Sequence, residues 1–327
     1  MPPQIAPVAL ASIQQPVKME LDAVFDELAQ VIRADFPLIA EVNSHLLRIR
    51  GKMFRPTLVL LSAQATDAIT ERHICLAAAV ELIHLATLIH DDSVDHSVLR
   101  RGQPTVNALF SHQTAVIMGD YLYSRAIIQL VDLEDLEPLR VMSRVTNEMT
   151  VGEMREIEAH DGVDFSEEDY DRLINAKTAS LIAGACEVGA LDSEHRDTLR
   201  RFGRSLGMAF QITDDLLDYT GSEDVTGKPS GLDLRERKIT LPLIAAIPSM
   251  DPEERTVAED LMATAIPTDA QIHDVIAIVE KRGGIDAAMT RAGHFSRKAE
   301  SELDRLPPSR ARDALRDGIS YVVERRS

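Results

Sequence analysis

Apolar residues recur at helical spacing along most of the chain, in segments separated by short polar joints. The pattern predicts helices at about 18–33, 37–49, 54–66, 70–95, 112–131, 137–160, 167–190, 194–219, 238–248, 252–265, 269–282, 284–303 and 308–323. Residues 220–237 form an irregular polar stretch, and no segment shows the alternation of a strand. We therefore predict an all-α fold with a single domain over 18–327, preceded by a flexible N-terminal arm over 1–17.

The composition favours helix and narrows the classes of partner. Glycine and proline, which disfavour helix interiors, are sparse at 16 and 15 of 327 residues. Lys and Arg number 35 against 53 Asp and Glu, which gives a net charge of −18. A nucleic-acid surface needs a basic stripe, so we expect no nucleic-acid partner. A phosphorylated substrate stays possible, because a few cations or bound metals can serve one site.

Cysteine usage and hydropathy predict a soluble, cytoplasmic protein. Cys75 and Cys186 both lie in apolar helical patterns, which is typical of buried reduced thiols. The most apolar stretch, 76–89, is interrupted by Glu81 and His84 and is too short to span a bilayer. We expect no transmembrane segment, while transient contact with a membrane for product release is left open.

Three aspartates close the long apolar helix of the N-terminal half. Asp91 and Asp95 are four residues apart and Asp92 and Asp95 three apart, so all three share one side of the helix. Their repulsion, about 0.2–0.5 kcal/mol per pair, and the helix macrodipole both disfavour this arrangement without a cation. Carboxylate oxygens suit Mg²⁺, which shares its coordination shell with substrate phosphates.

The same five-residue pattern returns as Asp214, Asp215 and Asp218, again near the end of an apolar helix. One copy is typical of a solvated acidic helix end, but two copies embedded in apolar sequence favour a metal site. Cations occur near both copies, where binding of a diphosphate would need them. They are Lys52, Arg55, Arg100, Arg101, Lys177, Lys228 and Lys238.

Together these motifs resemble the trans-polyprenyl diphosphate synthases, in particular the bacterial long-chain type. The matching residues are Gly51-Lys52-x-x-Arg55-Pro56, the two aspartate motifs, Arg100-Arg101-Gly102, Gly119-Asp120, Lys177-Thr178, Gln211 and Gly227-Lys228, in that order. The resemblance runs from about residue 18 to the C-terminus. It implies an isoprenoid synthase-type helical bundle around a central cavity, assembled as a homodimer. It also implies a prenyltransferase that joins isopentenyl diphosphate to an allylic diphosphate such as farnesyl diphosphate.

The resemblance further implies a role for each matching residue. Three Mg²⁺ ions with substrate bound would be held by Asp91, Asp92, Asp95, Asp214, Asp215 and Asp218. The allylic diphosphate would contact Arg100, Lys177, Gln211, Lys228 and Lys238, with Thr178 near the reacting carbon. Isopentenyl diphosphate would be held by Lys52, Arg55, His84 and Arg101. The expected catalytic group is Asp91, Asp92, Asp95, Lys177, Thr178 and Asp214.

Two positions depart from the family pattern. Arg50 stands where many members carry a second glycine, and Leu232 stands where a Gly-Asp-Asp is common, leaving only Asp233 of that pair. The second departure puts the metal or water shell near the polar loop in doubt. That loop, 221–231, is either a lid that excludes water from a reactive cation or an ordinary connector.

Small residues before the first motif predict a long product. Ala86 and Thr87 lie five and four residues before Asp91, where aromatic residues in the family block the growing tail. Further candidates for the tunnel wall or floor are Ile83, Tyr121, Tyr123 and Ile127. We predict octaprenyl diphosphate as the product; a shorter-chain farnesyl or geranylgeranyl synthase is the alternative.

Three other classes of protein share part of this pattern. A class I terpene cyclase has the first aspartate motif, but its second motif is of an Asn/Asp-Ser/Thr-Glu type. A di-iron bundle uses Glu-x-x-His twice, whereas Glu81 and His84 form a single copy. A regulatory subunit of a heteromeric synthase would lose the aspartates or the cations, and both are intact here.

Overall fold

The computed structural model describes residues 8–48, 51–100, 102–159, 165–221 and 231–324, with no side chains described at 158 and 159. The chain is almost entirely helical over these ranges, which confirms the predicted all-α class. The helices are α1 (Leu10–Gln14), α2 (Lys18–Val31), α3 (Pro37–Arg48), α4 (Phe54–Thr66), α5 (Glu71–Val94), α6 (Val106–Leu109), α7 (His112–Asp132), α8 (Leu136–Ala159), α9 (Glu167–Ile174), α10 (Ser180–Val188), α11 (Arg196–Thr220), α12 (Leu232–Arg235), α13 (Leu241–Ala246), α14 (Pro252–Ala263), α15 (Asp269–Lys281), α16 (Gly284–Leu303) and α17 (Arg310–Val323). A π-helical turn, Asn175–Ala179, joins α9 to α10, and Gln15–Val17 and Ile247–Ser249 are 3-10 turns.

Helix α5 is the central helix, and other helices surround it. Its residues from Leu76 to Ile83 are all buried, which explains why they are apolar on every side apart from Glu81. Among the described helices, α5 alone is long and apolar enough to cross a membrane, and 56% of the relevant window is buried inside the protein. Since α5 packs against α2, α4 and α7, its apolar sequence is explained by the core.

Helices α8 and α11 approach the π-helical turn closely enough to require glycine. A Cβ atom at Gly207 would lie 2.5 Å from Cα of Ala179, and a Cβ atom at Gly152 would lie 2.9 Å from the backbone nitrogen of Lys177. Real side chains do not tolerate such distances. The two glycines therefore let α8 and α11 pack closely against the turn that carries Lys177 and Thr178.

The N-terminal segment differs from its prediction. Helix α1 and the following 3-10 turn pack on the core, and the side chains of Ile13 and Val17 are fully buried. Gln14 also donates hydrogen bonds to the Lys52 carbonyl at 2.9 Å and to Thr57 Oγ1 at 3.1 Å. The predicted flexible arm is therefore wrong for residues 10–17, and residues 1–7 lie outside the described ranges. The single-domain organisation stays a prediction.

Short elements account for the other differences from the sequence prediction. Strands β1 (Leu99–Arg100) and β2 (Gln103–Pro104) form an antiparallel hairpin, with Leu99 opposite Pro104, where no strand was expected. Gly102 adopts a positive φ of 73° at its turn. Two-residue strands are too short to show a period, and the same is true of the four-residue helices α6 and α12. The helix predicted over 167–190 is interrupted by the π-helical turn.

Candidate active site

A cavity of about 950 Å³ lies between α5, α7, α8, α11 and the π-helical turn. The aspartates of both motifs lie near its end formed by the C-terminal turns of α5 and α11. From Asp91 the lining continues back along α5 through Thr87 and Ala86 to Ile83, a rise of about 12 Å at 1.5 Å per residue. The cavity therefore joins an acidic region to a passage walled by smaller and less polar side chains.

The three aspartates of the first motif have different surroundings: two line the cavity, and one is paired with a protein side chain. Asp91 and Asp95 line the cavity. Asp92 is buried, and its carboxylate accepts hydrogen bonds from Nε of Arg100 at 2.9 Å to each oxygen, with a further ion pair at 2.8 Å. Arg100, which the resemblance implies would contact a diphosphate, lines the cavity and pairs with Asp92 in this structure.

In the second aspartate motif, two of the three carboxylates accept hydrogen bonds from other parts of the protein. Asp214 and Asp215 both line the cavity, but Asp215 is only 5% exposed and accepts hydrogen bonds from the Tyr170 hydroxyl at 2.5 Å and from Gln211 Nε2 at 2.8 Å. Asp218 accepts hydrogen bonds from the backbone amides at positions 232 and 233, both at 2.9 Å. Asp218 therefore anchors the start of α12.

The acidic end of the cavity holds carboxylates whose pKa values are displaced upward. Burial raises the pKa of Asp91 to about 7; Lys177 opposes the shift, while Glu153 and Asp95 add to it. Burial likewise raises the pKa of Asp215 to about 7, and burial followed by repulsion from Asp215 raises that of Asp233. Carboxylates that resist ionisation in this way mark a region that a cation would stabilise.

The donor set fits a divalent cation that binds together with a phosphorylated substrate. Within the described ranges, no group of three or more His, Cys, Asp or Glu side chains is close enough to hold a metal by itself. Mg²⁺ commonly takes one or two protein carboxylates and completes its shell with water and substrate phosphates. Asp91, Asp95 and Asp214 line one cavity and supply such oxygen ligands.

Two lysines reach the same end of the cavity, and each is neutralised by carboxylates. Lys177 Nζ lies 2.9 Å from Glu153 Oε2 and also pairs with Glu156. Lys238 Nζ lies 2.9 Å from Glu236 Oε2 and 3.5 Å from Asp95 Oδ2. Burial lowers the pKa of both lysines, but the neighbouring carboxylates raise it by more, so both are protonated. Lys228, the third lysine expected here, lies outside the described residues.

Three of the residues expected to hold isopentenyl diphosphate, Lys52, Arg55 and His84, lie near the junction of α4, α5 and α17. Arg55 Nη1 is 2.9 Å from His84 Nε2, and both side chains line the cavity. Lys52 does not line it; its Nζ lies 5.9 Å from the ring centre of Tyr321. Arg101 lies outside the described residues. Two of the four expected residues are therefore brought together on the cavity wall.

The predicted tunnel residues also separate into two groups. Ile83, Ala86, Thr87 and Tyr123 line the cavity. Tyr121 does not, because its hydroxyl donates to the Ile32 carbonyl at 3.2 Å on the opposite side of α7, and Ile127 is likewise absent from the lining. The expected roles of Tyr121 and Ile127 in setting chain length stay predictions, and neither residue lines the cavity described here.

Three cavity residues escaped the sequence prediction. Glu153 and Glu156 are three residues apart on α8 and both reach Lys177, and Tyr170 reaches Asp215 from α9. The spacing of Glu153 and Glu156 after Gly152 was a usable signal for an acidic helix face. Tyr170 gave no signal, because it looks like an ordinary apolar position of an amphipathic helix.

Comparison with known proteins identifies the class. The polyprenyl synthetase family model matches residues 36–279. The chain is 40% identical over 319 residues to the all-trans-nonaprenyl-diphosphate synthase (geranyl-diphosphate specific) of Rhodobacter capsulatus, covering 96% of this chain and 97% of that protein. It is 36% identical over 311 residues to heptaprenyl diphosphate synthase component 2 of Geobacillus stearothermophilus, covering 94% and 96%.

The fold comparison agrees. The crystal structure of polyprenyl synthase from Caulobacter crescentus, complexed with calcium and isoprenyl diphosphate, matches with a TM-score of 0.93 and 31% identity over 99% of this chain and 100% of that chain. The chain belongs to the polyprenyl synthetase family. It is a trans-prenyl diphosphate synthase of the medium-to-long-chain type, and hence a prenyltransferase from a family that binds divalent metals.

Proposed function

We propose that this prenyltransferase extends farnesyl diphosphate with isopentenyl diphosphate and makes octaprenyl diphosphate. The observation that carries the proposal is the single cavity in which Asp91 and Asp214 adjoin a passage lined by Ala86 and Thr87. No aromatic side chain stands at these two positions below Asp91. The nonaprenyl and heptaprenyl products named for two relatives support a length in this range.

We propose Mg²⁺ as the metal, with three ions present when substrate is bound. Asp91, Asp95 and Asp214 would hold the ions, because these three line the cavity; Asp215 lines it too, but both of its oxygens accept hydrogen bonds from Tyr170 and Gln211. Asp92, Asp215 and Asp218 accept hydrogen bonds from protein donors, so their role would be to orient their neighbours. Bound Mg²⁺ would supply charge neutralisation on the departing diphosphate.

The protein groups would act by placing charge where the reaction develops it. Lys177 and Lys238 would bind the allylic diphosphate, whose oxygens replace the carboxylates that now surround them. The bond between the allylic carbon and oxygen then breaks, with both electrons leaving on the diphosphate. The double bond of isopentenyl diphosphate, placed by Arg55 and His84, forms the new carbon–carbon bond. The released diphosphate takes the proton that this addition expels, so no protein nucleophile is required.

We propose that the enzyme is a homodimer formed through α7 and α8. Large apolar side chains are exposed along both helices. They are Val116, Ile117, Ile128, Val131, Leu136, Val151, Met154 and Ile157. A monomer rarely exposes such a concentration of apolar groups without a partner. An Ile117→Glu variant should dissociate in sedimentation equilibrium, whereas a wild type that sediments as a monomer would contradict the proposal.

The second candidate is a subunit that requires a different partner. It is favoured by one observation, the 36% identity to a protein named component 2 of a heptaprenyl synthase. Purified protein that is inactive alone but gains turnover when a cell extract is added would support this candidate. Turnover by the pure protein would exclude it.

The deciding experiment is turnover of the pure protein with isopentenyl and farnesyl diphosphates, first with Mg²⁺ and then with chelator, with products resolved by length. We expect a ladder that ends near eight units and is abolished by chelator. A stop at three or four units would keep the chemistry and overturn the long product. Absence of product from any allylic starter would overturn the enzyme proposal. The cytoplasmic location and the membrane contact during product release stay predictions.

A further inference from the structure

A continuous hydrogen-bonded chain of four side chains runs along the wall of the cavity, and the residue at its far end, Tyr170, has had no role so far. The Thr178 hydroxyl donates to Gln211 Oε1 at 2.7 Å, and Gln211 Nε2 donates to Asp215 Oδ1 at 2.8 Å. The Tyr170 hydroxyl donates to Asp215 Oδ2 at 2.5 Å. Tyr170 is 1% exposed, so its hydroxyl is shielded from water and hydrogen-bonds to Asp215 instead.

The donors and acceptors in this hydrogen-bonded chain have a fixed order, which is set by Asp215. Both oxygens of Asp215 accept hydrogen bonds, so the carboxylate requires the amide nitrogen of Gln211. The amide oxygen of Gln211 must then face Thr178. The Thr178 hydroxyl consequently donates its only proton to Gln211, and its lone pairs remain available on the cavity side.

Tyr170 is the residue that fixes the carboxylate. It lies on α9, eight residues before Thr178, while Gln211 and Asp215 lie four residues apart on one face of α11. The Tyr170 hydroxyl holds Oδ2, so that Oδ1 is directed at Gln211. Without this donor, the buried carboxylate is free to rotate or to recruit a proton, and either change allows the amide of Gln211 to turn over.

We propose that Tyr170 is a positioning residue which, acting through Asp215 and Gln211, makes Thr178 Oγ1 present lone pairs to the allylic carbon. The inference rests on the proposed function. When the carbon–oxygen bond breaks, both electrons leave with the diphosphate and the allylic carbon becomes positive. A hydroxyl oxygen that turns lone pairs toward that carbon stabilises the charge, whereas an O–H pointed at it would oppose the charge.

The test separates recognition of the cation from recognition of the diphosphate. Calorimetry measures two affinities in the presence of Mg²⁺: one for inorganic diphosphate, and one for a prenyl ammonium analogue of the cation added with diphosphate. For Tyr170→Phe we expect about tenfold weaker binding of the ammonium analogue, equivalent to about 1.4 kcal/mol, and less than about twofold change for diphosphate. Unchanged binding of the analogue would overturn the inference.

A matched control and a double variant exclude a general loss of structure. Tyr219 is another buried tyrosine on α11, and it takes no part in these hydrogen bonds, because its hydroxyl pairs with Thr240. Tyr219→Phe should therefore leave both affinities unchanged. In the Thr178→Val background, Tyr170→Phe should have no further effect on the ammonium analogue. Additive losses would overturn the inference. If Tyr170→Phe fails to fold, Gln211→Met breaks the same chain at its centre and should weaken the analogue by a similar factor; an unchanged affinity there would also overturn it.

The outcomes for the wild type distinguish this inference from the proposed function. A wild type that binds neither diphosphate nor the ammonium analogue would overturn the proposed function. A wild type that binds both, together with a Tyr170→Phe variant that binds both equally well, would overturn only the role of Tyr170.

Discussion

The two aspartate motifs have the same spacing and the same place near the end of an apolar helix, but their surroundings use them differently. In the first motif, two of three carboxylates line the cavity, and the third, Asp92, is held by Arg100. In the second, Asp214 and Asp215 line the cavity, but both oxygens of Asp215 accept hydrogen bonds from Tyr170 and Gln211. Asp218 anchors the backbone of α12.

The difference lies in the segment that comes after each motif. The first motif ends its helix beside a solvent-facing hairpin, and Asp95 meets the side chain of Lys238 across the cavity. The second motif precedes a short helix whose first amides point back at Asp218. A carboxylate that caps a helix start is committed to structure. Equal spacing therefore fixes which helix face the aspartates share, and the neighbouring segments decide which of them remain for substrate.

The largest expected effect comes from removing a charge on the cavity side of either motif. Asp91→Asn and Asp214→Asn should each lower turnover by about 100- to 1,000-fold, because each removes a charge aimed at the departing diphosphate. Asp92→Asn should cost about tenfold, since it loosens Arg100. Steady-state rates at saturating Mg²⁺ measure these ratios. Equal losses for Asp91→Asn and Asp92→Asn would remove the distinction between cavity and protein carboxylates.

A second prediction concerns the residue one helical turn before each aspartate motif, where α5 and α11 differ. Four residues before the first aspartate, α5 carries Thr87 and α11 carries Phe210. Thr87→Phe places an aromatic ring in the passage below Asp91, so the product ladder should end several units earlier at a similar initial rate. Tyr121→Ala is the matched control, because Tyr121 faces α2 and should leave the product length unchanged. An unchanged length in Thr87→Phe would refute the assignment of the passage.

The chemistry at the helix ends was predictable from sequence because it is local. Asp91 and Asp95 face one way by helical periodicity alone, and the small residues at 86 and 87 lie on the same helix. The order of the helices and the all-α class came from the same periodicity. The family resemblance added which lysines approach the aspartates.

The remaining features depend on contacts between distant segments. Glu153 and Glu156 reach Lys177 only because Gly152 lets α8 touch the π-helical turn, and no periodicity reports that approach. Tyr121 and Tyr123 are two residues apart on α7, so only one of them can face the cavity, and the sequence did not show which. The burial of Ile13 and Val17 depends likewise on the surface that the core offers to α1.

A third prediction compares the last aspartate of each motif. Asp218→Asn weakens the acceptor for the amides at positions 232 and 233, so hydrogen exchange at these amides should become about tenfold faster. Asp95→Asn should leave the same amides unchanged, because Asp95 contacts the side chain of Lys238 and not the backbone of α12. Mass spectrometry of peptides that cover 231–240 measures both variants. Equal acceleration in both would contradict the separate roles.

The smallest expected effect is on stability. It involves both motifs, because each contains an aspartate whose pKa is raised by burial. The folded-state pKa values of Asp91 and Asp215 are raised to about 7, while an unfolded aspartate titrates near about 3.9. Between these values the folded state binds more protons, so the free energy of unfolding falls as pH rises. The Tm of metal-free protein should therefore decline from about pH 5 to about pH 7 and then level off. Asp91→Asn should flatten this slope, and Mg²⁺ with inorganic diphosphate should raise the Tm most at the alkaline end, because the ions stabilise the ionised carboxylates. A Tm that rises over this range, or a slope that is unchanged in Asp91→Asn, would show that other groups govern the pH dependence.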